Sequence, residues 1–241
     1  MSYIVYCIFR GPLPAALELP AGVSGYRVFT ANYQGLGAAI SKVPEDHAPP
    51  DNANRMAFER VVESFYRHLT IIPMRYGCRV ECPYDAAMLL QGNHAAYNEL
   101  LRQLEGLAEV GMQVLVDGPI AGAETERAGK LPGWLSLRAI ASRAASQRWK
   151  KWHSPDAGQA STAPDALVEN LCDSLHGSFV RHKVEFPFSW KSGSVSLHFL
   201  VPRDSVESFR SAAYHLPADP CVKLLLSGPW PPYNFVDATQ P

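Results

Sequence analysis

Val195-Ser196-Leu197-His198-Phe199-Leu200-Val201 alternates apolar and polar residues as far as Phe199, the period-two pattern of a strand with one buried face. Outward from it, Phe179–Phe188 reads as a second strand, joined to the first through Trp190-Lys191-Ser192-Gly193. Downstream, Asp204 with Glu207 three residues on marks a helix start, and Val206, Phe209, Ala213 and Leu216 follow at helical spacing. Val222, Leu224 and Leu226 then alternate as a closing strand. Upstream, Pro164 opens a helix with Leu167, Leu171 and Leu175 on one face, stopped by Gly177. Before it lie a polar linker from His153 to Ala163 and a stretch free of Gly and Pro, Trp134–Trp152, with helical spacing. Asp117–Gly133 is a Gly/Ala-rich loop, and Val110–Val116 a strand. The order from Val110 is therefore β, helical segment, β, β, α, β. That is the split βαβ order of a ferredoxin-like domain, here with an enlarged helical crossover.

The first half reads differently. Tyr3–Phe9, Tyr26–Ala31 and Leu36–Val43 are strands separated by Gly and Pro clusters. Asn52 or Asn54 then caps a helix whose apolar face is Phe58, Val61/Val62, Phe65 and Leu69. Thr70–Met74 is a strand that Pro73 confines to an edge or an end. Pro83 starts a second helix that breaks at Gly92, and Asn93 caps a third carrying Tyr97, Leu100/Leu101, Leu104 and Leu107. The expected architecture is α+β in two domains. Residues 1–108 form an N-terminal α+β domain, and 109–241 a ferredoxin-like domain with inserted helices over 134–177 and a proline-aromatic tail.

A chain of 241 residues, 47% hydrophobic and 19% charged, has the composition of a globular protein with a substantial core. Its formal charge of −1 gives no global pull toward nucleic acid or anionic membrane. No stretch approaches the roughly 20 apolar residues needed to span a bilayer. The five cysteines (7, 78, 82, 172 and 221) show no disulfide-framework spacing, which points to reduced thiols in a cytoplasm. Nucleophile elbows, phosphate-cradling Gly-Lys-Ser/Thr loops and dinucleotide Gly-x-Gly-x-x-Gly turns are absent, so neither an enzyme nor a cofactor is expected. Cys78 and Cys82 with His94 have the wrong spacing for a zinc knuckle and read as ordinary thiols.

Two stretches suit partner binding. Ser227-Gly228-Pro229-Trp230-Pro231-Pro232-Tyr233-Asn234-Phe235-Val236 holds three prolines in four positions, so it should neither continue a central strand nor start a helix. Trp230, Pro231, Pro232, Tyr233 and Phe235 must cover a surface, the chain's own or a partner's. Lys130–His153 holds six of the chain's 22 basic residues and no Asp or Glu. Arg143, Arg148, Trp149, Lys150 and Trp152 there suit an acidic protein partner.

The tail closely resembles the C-terminal signature of the gas vesicle protein GvpF/GvpL family. Further similarities follow in the family's order. They are Tyr3–Tyr6, Gly37–Pro44, Thr70-Ile71-Ile72-Pro73-Met74-Arg75-Tyr76-Gly77, Leu104–Gly106 with Glu109–Gly111, and Phe199–Arg203. The block holding Pro73, Arg75 and Gly77 is a fairly specific structural motif, while Gly92-Asn93-His94 and Gly118–Gly133 depart from the family's pattern. The resemblance implies a non-enzymatic accessory or minor structural protein, cytoplasmic and associated with gas vesicles. It would bind the hydrophobic shell protein and other accessory proteins and support assembly. The competing expectation is a ferredoxin-like RNA-binding module, which needs exposed aromatics on its sheet.

Overall fold

The computed structural model describes residues 2–44, 51–116, 163–185, 194–216 and 222–236. They form a mixed α/β structure with two antiparallel sheets. The chain divides into two compact units. The first comprises Met1–Val110, Leu200–Val206 and Gly228–Pro241; the second comprises Gly111–Phe199 and Glu207–Ser227. The long N-terminal segment of the first unit thus ends two residues beyond the expected 108/109 boundary. The tail, assigned by sequence to the C-terminal domain, belongs to the first unit.

In the first unit, β1 (Ser2–Arg10), β2 (Val28–Tyr33), β3 (Leu36–Val43) and β4 (Ile71–Pro73) lie in the order β2-β3-β1-β4. A short β5 (Arg79–Val80), which the sequence reading missed, pairs with β1 opposite Tyr3 and Ile4. The β2–β3 hairpin closes Tyr33 on Leu36 through Gln34 and Gly35, both at positive φ (41° and 85°). That is the primed two-residue turn matched to strand twist, and glycine supplies the second position without strain.

β1 is buried from Ile4 to Phe9 because helices cover both faces of the sheet. A register shift between Val5 and Cys7 moves the alternation by one residue. Tyr6 and Phe9 thereby both face α1 (Asn52–Tyr66), their rings 5.0 Å from Phe58 and 5.2 Å from Phe65. Val5 and Ile8 share the other cluster, with Leu90 of α2 (Pro83–Gly92) and Tyr97, Leu100 and Leu101 of α3 (His94–Leu104). The fully buried aromatic side chains on β1 and α1 each contribute about 1.5–3 kcal/mol of apolar burial.

Helix ends depart from expectation: Leu69 and Leu107, read as the last apolar positions of the first and third helices, lie beyond Tyr66 and Leu104, and two caps differ. Asp51, not Asn52 or Asn54, caps α1, its carboxylate accepting the Asn54 amide at 2.7 Å. Asn54 Oδ1 is instead taken by the Ser24 amide at 2.9 Å. Asn93 precedes α3 but makes no side-chain cap there; its Nδ2 donates back to the Leu89 carbonyl at 3.0 Å, closing α2.

The second sheet has the order β7-β8-β6-β9, from β6 (Leu107–Val116), β7 (Arg181–Glu185), β8 (Ser194–Pro202) and β9 (Val222–Trp230). Helices α4 (Ala163–Ser174) and α5 (Val206–Tyr214) follow among the described residues. Val195, Leu197 and Phe199 are buried as the alternation predicts, and Phe199 packs 5.0 Å from Phe179 and 5.1 Å from Phe209. The opposite face of β8 presents Ser196 and His198, the latter with Nε2 3.5 Å from Glu185.

Candidate functional site

The tail was expected neither to continue a central strand nor to start a helix; β9 runs on through Gly228, Pro229 and Trp230, as an edge strand. In that position a missing amide donor costs no ladder bond. The Gly228–Pro229 peptide is cis, and Gly228 has φ of 105°. A Cβ there would lie 2.8 Å from the Glu109 carbonyl oxygen, so only glycine fits.

After Trp230 the chain turns into its own core. Pro231 and Pro232 are buried, a 3-10 turn spans Tyr233–Phe235, and Phe235 and Val236 join the cluster of Val5, Ile8 and Ile72. Glu109, 3% exposed, accepts the Asn234 backbone amide at 2.9 Å on Oε2 and its Nδ2 at 2.6 Å on Oε1. One buried carboxylate therefore fixes the tail by two charge-assisted bonds. Trp230 stays 50% exposed.

Trp230 with Pro229, Pro231 and Tyr233 lines an open groove of about 1040 Å³, together with the Ala16–Pro20 loop and the outer side of α1. From α1 come Met56, Glu59, Arg60, Glu63 and Ser64, with Arg67 and His68 just beyond its end, and Met56 is 58% exposed. Glu63 Oε1 meets Arg67 Nε at 3.1 Å. Burial raises the Tyr233 hydroxyl pKa, and Cys7, Glu59, Glu63 and Glu109 add to the rise. The volume lies at the upper end of ordinary small-molecule pockets, roughly 300–1,000 Å³, and the groove is open to solvent rather than enclosing. An open groove of that size suits a segment of protein. Its apolar tryptophan and the α1 charges were not combined by sequence reasoning, because the tail's path back to α1 is a tertiary fact.

The other expected residues are dispersed. Pro73 ends β4 at the sheet edge, opposite Cys7. The exposed Arg75 starts a turn in which its carbonyl accepts the Cys78 amide at 3.1 Å, with Gly77 at φ 100° in the position that requires glycine. Burial raises the Cys78 thiol pKa to about 11. Cys82 precedes α2 in a capping box with Asp85, whose Oδ2 accepts the Cys82 amide at 3.0 Å. His94 lies edge-on to Tyr33 with Nε2 3.2 Å from the Gln34 carbonyl. Among the described residues, no three His, Cys, Asp or Glu side chains gather to hold a metal. Arg143, Arg148, Trp149, Lys150 and Trp152 lie outside the described residues. No helix among the described residues is long and apolar enough to cross a membrane.

A family model described as gas vesicle synthesis protein GvpL/GvpF matches residues 2–237. The chain is 23% identical over 227 residues to gas vesicle protein F1 of Halobacterium salinarum, covering 92% of this chain and 87% of that protein. It is 28% identical over 257 residues to gas vesicle protein F of a Streptomyces species, covering 98% of this chain and all of the relative (100%). Among solved structures, GvpF from an Anabaena species is similar with a TM-score of 0.69 at 17% identity, over 98% of this chain and 96% of that one. GvpF from Microcystis aeruginosa is similar with a TM-score of 0.67 at 16% identity, over 98% and 99%. The structural likeness carries the fold, the family match spans nearly every residue described above, and the chain belongs to the gas vesicle synthesis protein GvpL/GvpF family.

Proposed function

We propose that this protein is a gas vesicle accessory protein that binds the hydrophobic shell protein and supports gas vesicle assembly without catalysing a reaction. The observation that carries the reading is the family match over residues 2–237. The physical motive is that a subunit destined to wall off gas exposes apolar surface while soluble and aggregates unless covered. Partners are then the shell protein and other accessory proteins, met in the cytoplasm. Of the tail, Trp230 is the contact residue, with Tyr233 beside it. Pro231, Pro232 and Phe235 hold the tail in place, because they are buried in their own unit.

The second sheet's order β7-β8-β6-β9, with α4 before β7 and α5 between β8 and β9 among the described residues, supports a ferredoxin-like reading of the C-terminal half. RNA binding on that sheet is disfavoured. Its central strands β6 and β8 contribute two aromatic rings: Phe199, which is fully buried, and His198, whose side chain is only 17% exposed with Nε2 3.5 Å from Glu185, so neither is an open platform for bases.

The test is co-purification of the shell protein with the full chain and with a Trp230→Ala variant whose fold is checked by circular dichroism. Capture by the full chain supports the reading. A shell protein that elutes without this chain under all conditions of co-expression contradicts it.

A further inference from the structure

The groove at α1 and the tail carries an inference that rests on the protein-partner reading and extends it to the partner's chemistry. Met56 and Trp230 offer apolar surface within one opening. The charges that line the same opening are Glu18, Glu59 and Glu63 against Arg60, Arg67 and His68. Glu63 and Arg67 satisfy each other. Glu18 and Glu59 form no ion pair among the described residues, and Arg60 is the one guanidinium left to offset them. At Tyr233 the balance is acidic: beyond burial and Cys7, the groups acting on its hydroxyl are Glu59, Glu63 and Glu109, all in the same sense.

An apolar notch edged by unpaired carboxylates is complementary to a cation on an aliphatic stem. The stem of a lysine or arginine packs on an exposed indole, and its head group gains from the ring face and from nearby carboxylates. An open groove along the side of a helix fits a helical segment rather than a compact ligand. We propose that this groove seats a basic amphipathic helix of a protein partner, one Arg or Lys lying on Trp230 with its charge toward Glu59 and Glu18, and an apolar neighbour against Met56. The site needs both halves. A purely apolar helix leaves the carboxylates facing nothing, and an acidic one meets repulsion.

The test uses the full chain and two synthetic amphipathic helical peptides that share one leucine face, flanked in one by lysines and in the other by glutamates. Calorimetry should show the lysine peptide binding at least ten-fold more tightly than the glutamate peptide. Trp230→Ala should weaken it roughly ten-fold, as for a central aromatic anchor. The pair Glu18→Gln with Glu59→Gln should weaken it and flatten its salt dependence. These polar, surface substitutions leave the fold intact, so the test survives if Trp230→Ala destabilises the chain. Equal binding of the two peptides, or lysine-peptide binding indifferent to the Glu18/Glu59 pair, overturns the groove proposal. Where the peptides bind equally, shell-protein capture that persists leaves the accessory-protein reading standing. Lysine-selective binding in a chain that captures no shell protein supports the groove and removes that reading instead.

Discussion

Glu109 accepts two hydrogen bonds from Asn234 while almost wholly buried, and it sits 125 residues away from that partner in sequence. Replacing it with alanine removes both of these carboxylate acceptors from Asn234. Glu109→Ala should therefore lower unfolding stability by about 2–4 kcal/mol, read as a drop in the urea midpoint at unchanged slope. Gly228 makes a comparable demand through the backbone. With φ at 105° and the Glu109 carbonyl 2.8 Å from any added Cβ, Gly228→Ala should cost about 1–3 kcal/mol in the same assay. A Gly228→Ala protein as stable as wild type would show that the tail sits otherwise. Titration adds a third expectation. Burial raises Cys78 from 9.0 to about 11 and, with Cys78 adding to the effect, Tyr97 from 10.0 to about 12. Both groups are protonated more tightly folded than unfolded. Their contribution is complete below pH 9 and declines as pH rises through the window from 9 to 12. Denaturation midpoints should fall across that window, and Cys78→Ala should make the fall that begins near pH 9 shallower without abolishing it, because burial also raises the Cys7 and Cys172 thiols.

At the level of elements, much of the chain could be read from periodicity. The alternation of Val195, Leu197 and Phe199 placed β8 and its buried face. The i, i+3/i+4 spacing of Phe58, Val61, Val62 and Phe65 placed α1. What could not be read was decided by neighbours in space. Asp51 won the α1 cap because Asn54 is engaged by Ser24, a residue thirty positions earlier. β5 has two residues and exists only because β1 offers it an edge. Gly228-Pro229-Trp230 joined β9 because an edge strand tolerates proline, and sequence alone does not reveal which strand is the edge. The cap makes its own prediction: Asp51→Ala should cost about 1 kcal/mol, while Asp51→Asn or Asp51→Ser should recover most of it. Asn52→Ala, by contrast, should change the thermal midpoint little, since Asn52 is not the capping residue.

Taken as a whole chain, the tail's aromatic signature pointed to the right family. It did not show that Pro231, Pro232 and Phe235 serve the first unit's interior while Trp230 remains half-open. The groove was illegible for the same reason, because its lining comes from residues 16–20, from 56–68 and from 229–233. Removing the tail outright would take Phe235 and Val236 from the core cluster, so truncation mixes loss of folding with loss of binding. Single substitution at Trp230 separates them. The most direct measurement mixes the purified full chain with its hydrophobic shell protein, diluted from denaturant, and follows light scattering and co-elution. The account predicts that the chain suppresses aggregation and elutes with the shell protein, and that Trp230→Ala, still folded, does so less well. A shell protein that aggregates at the same rate with the chain as without it would contradict the account.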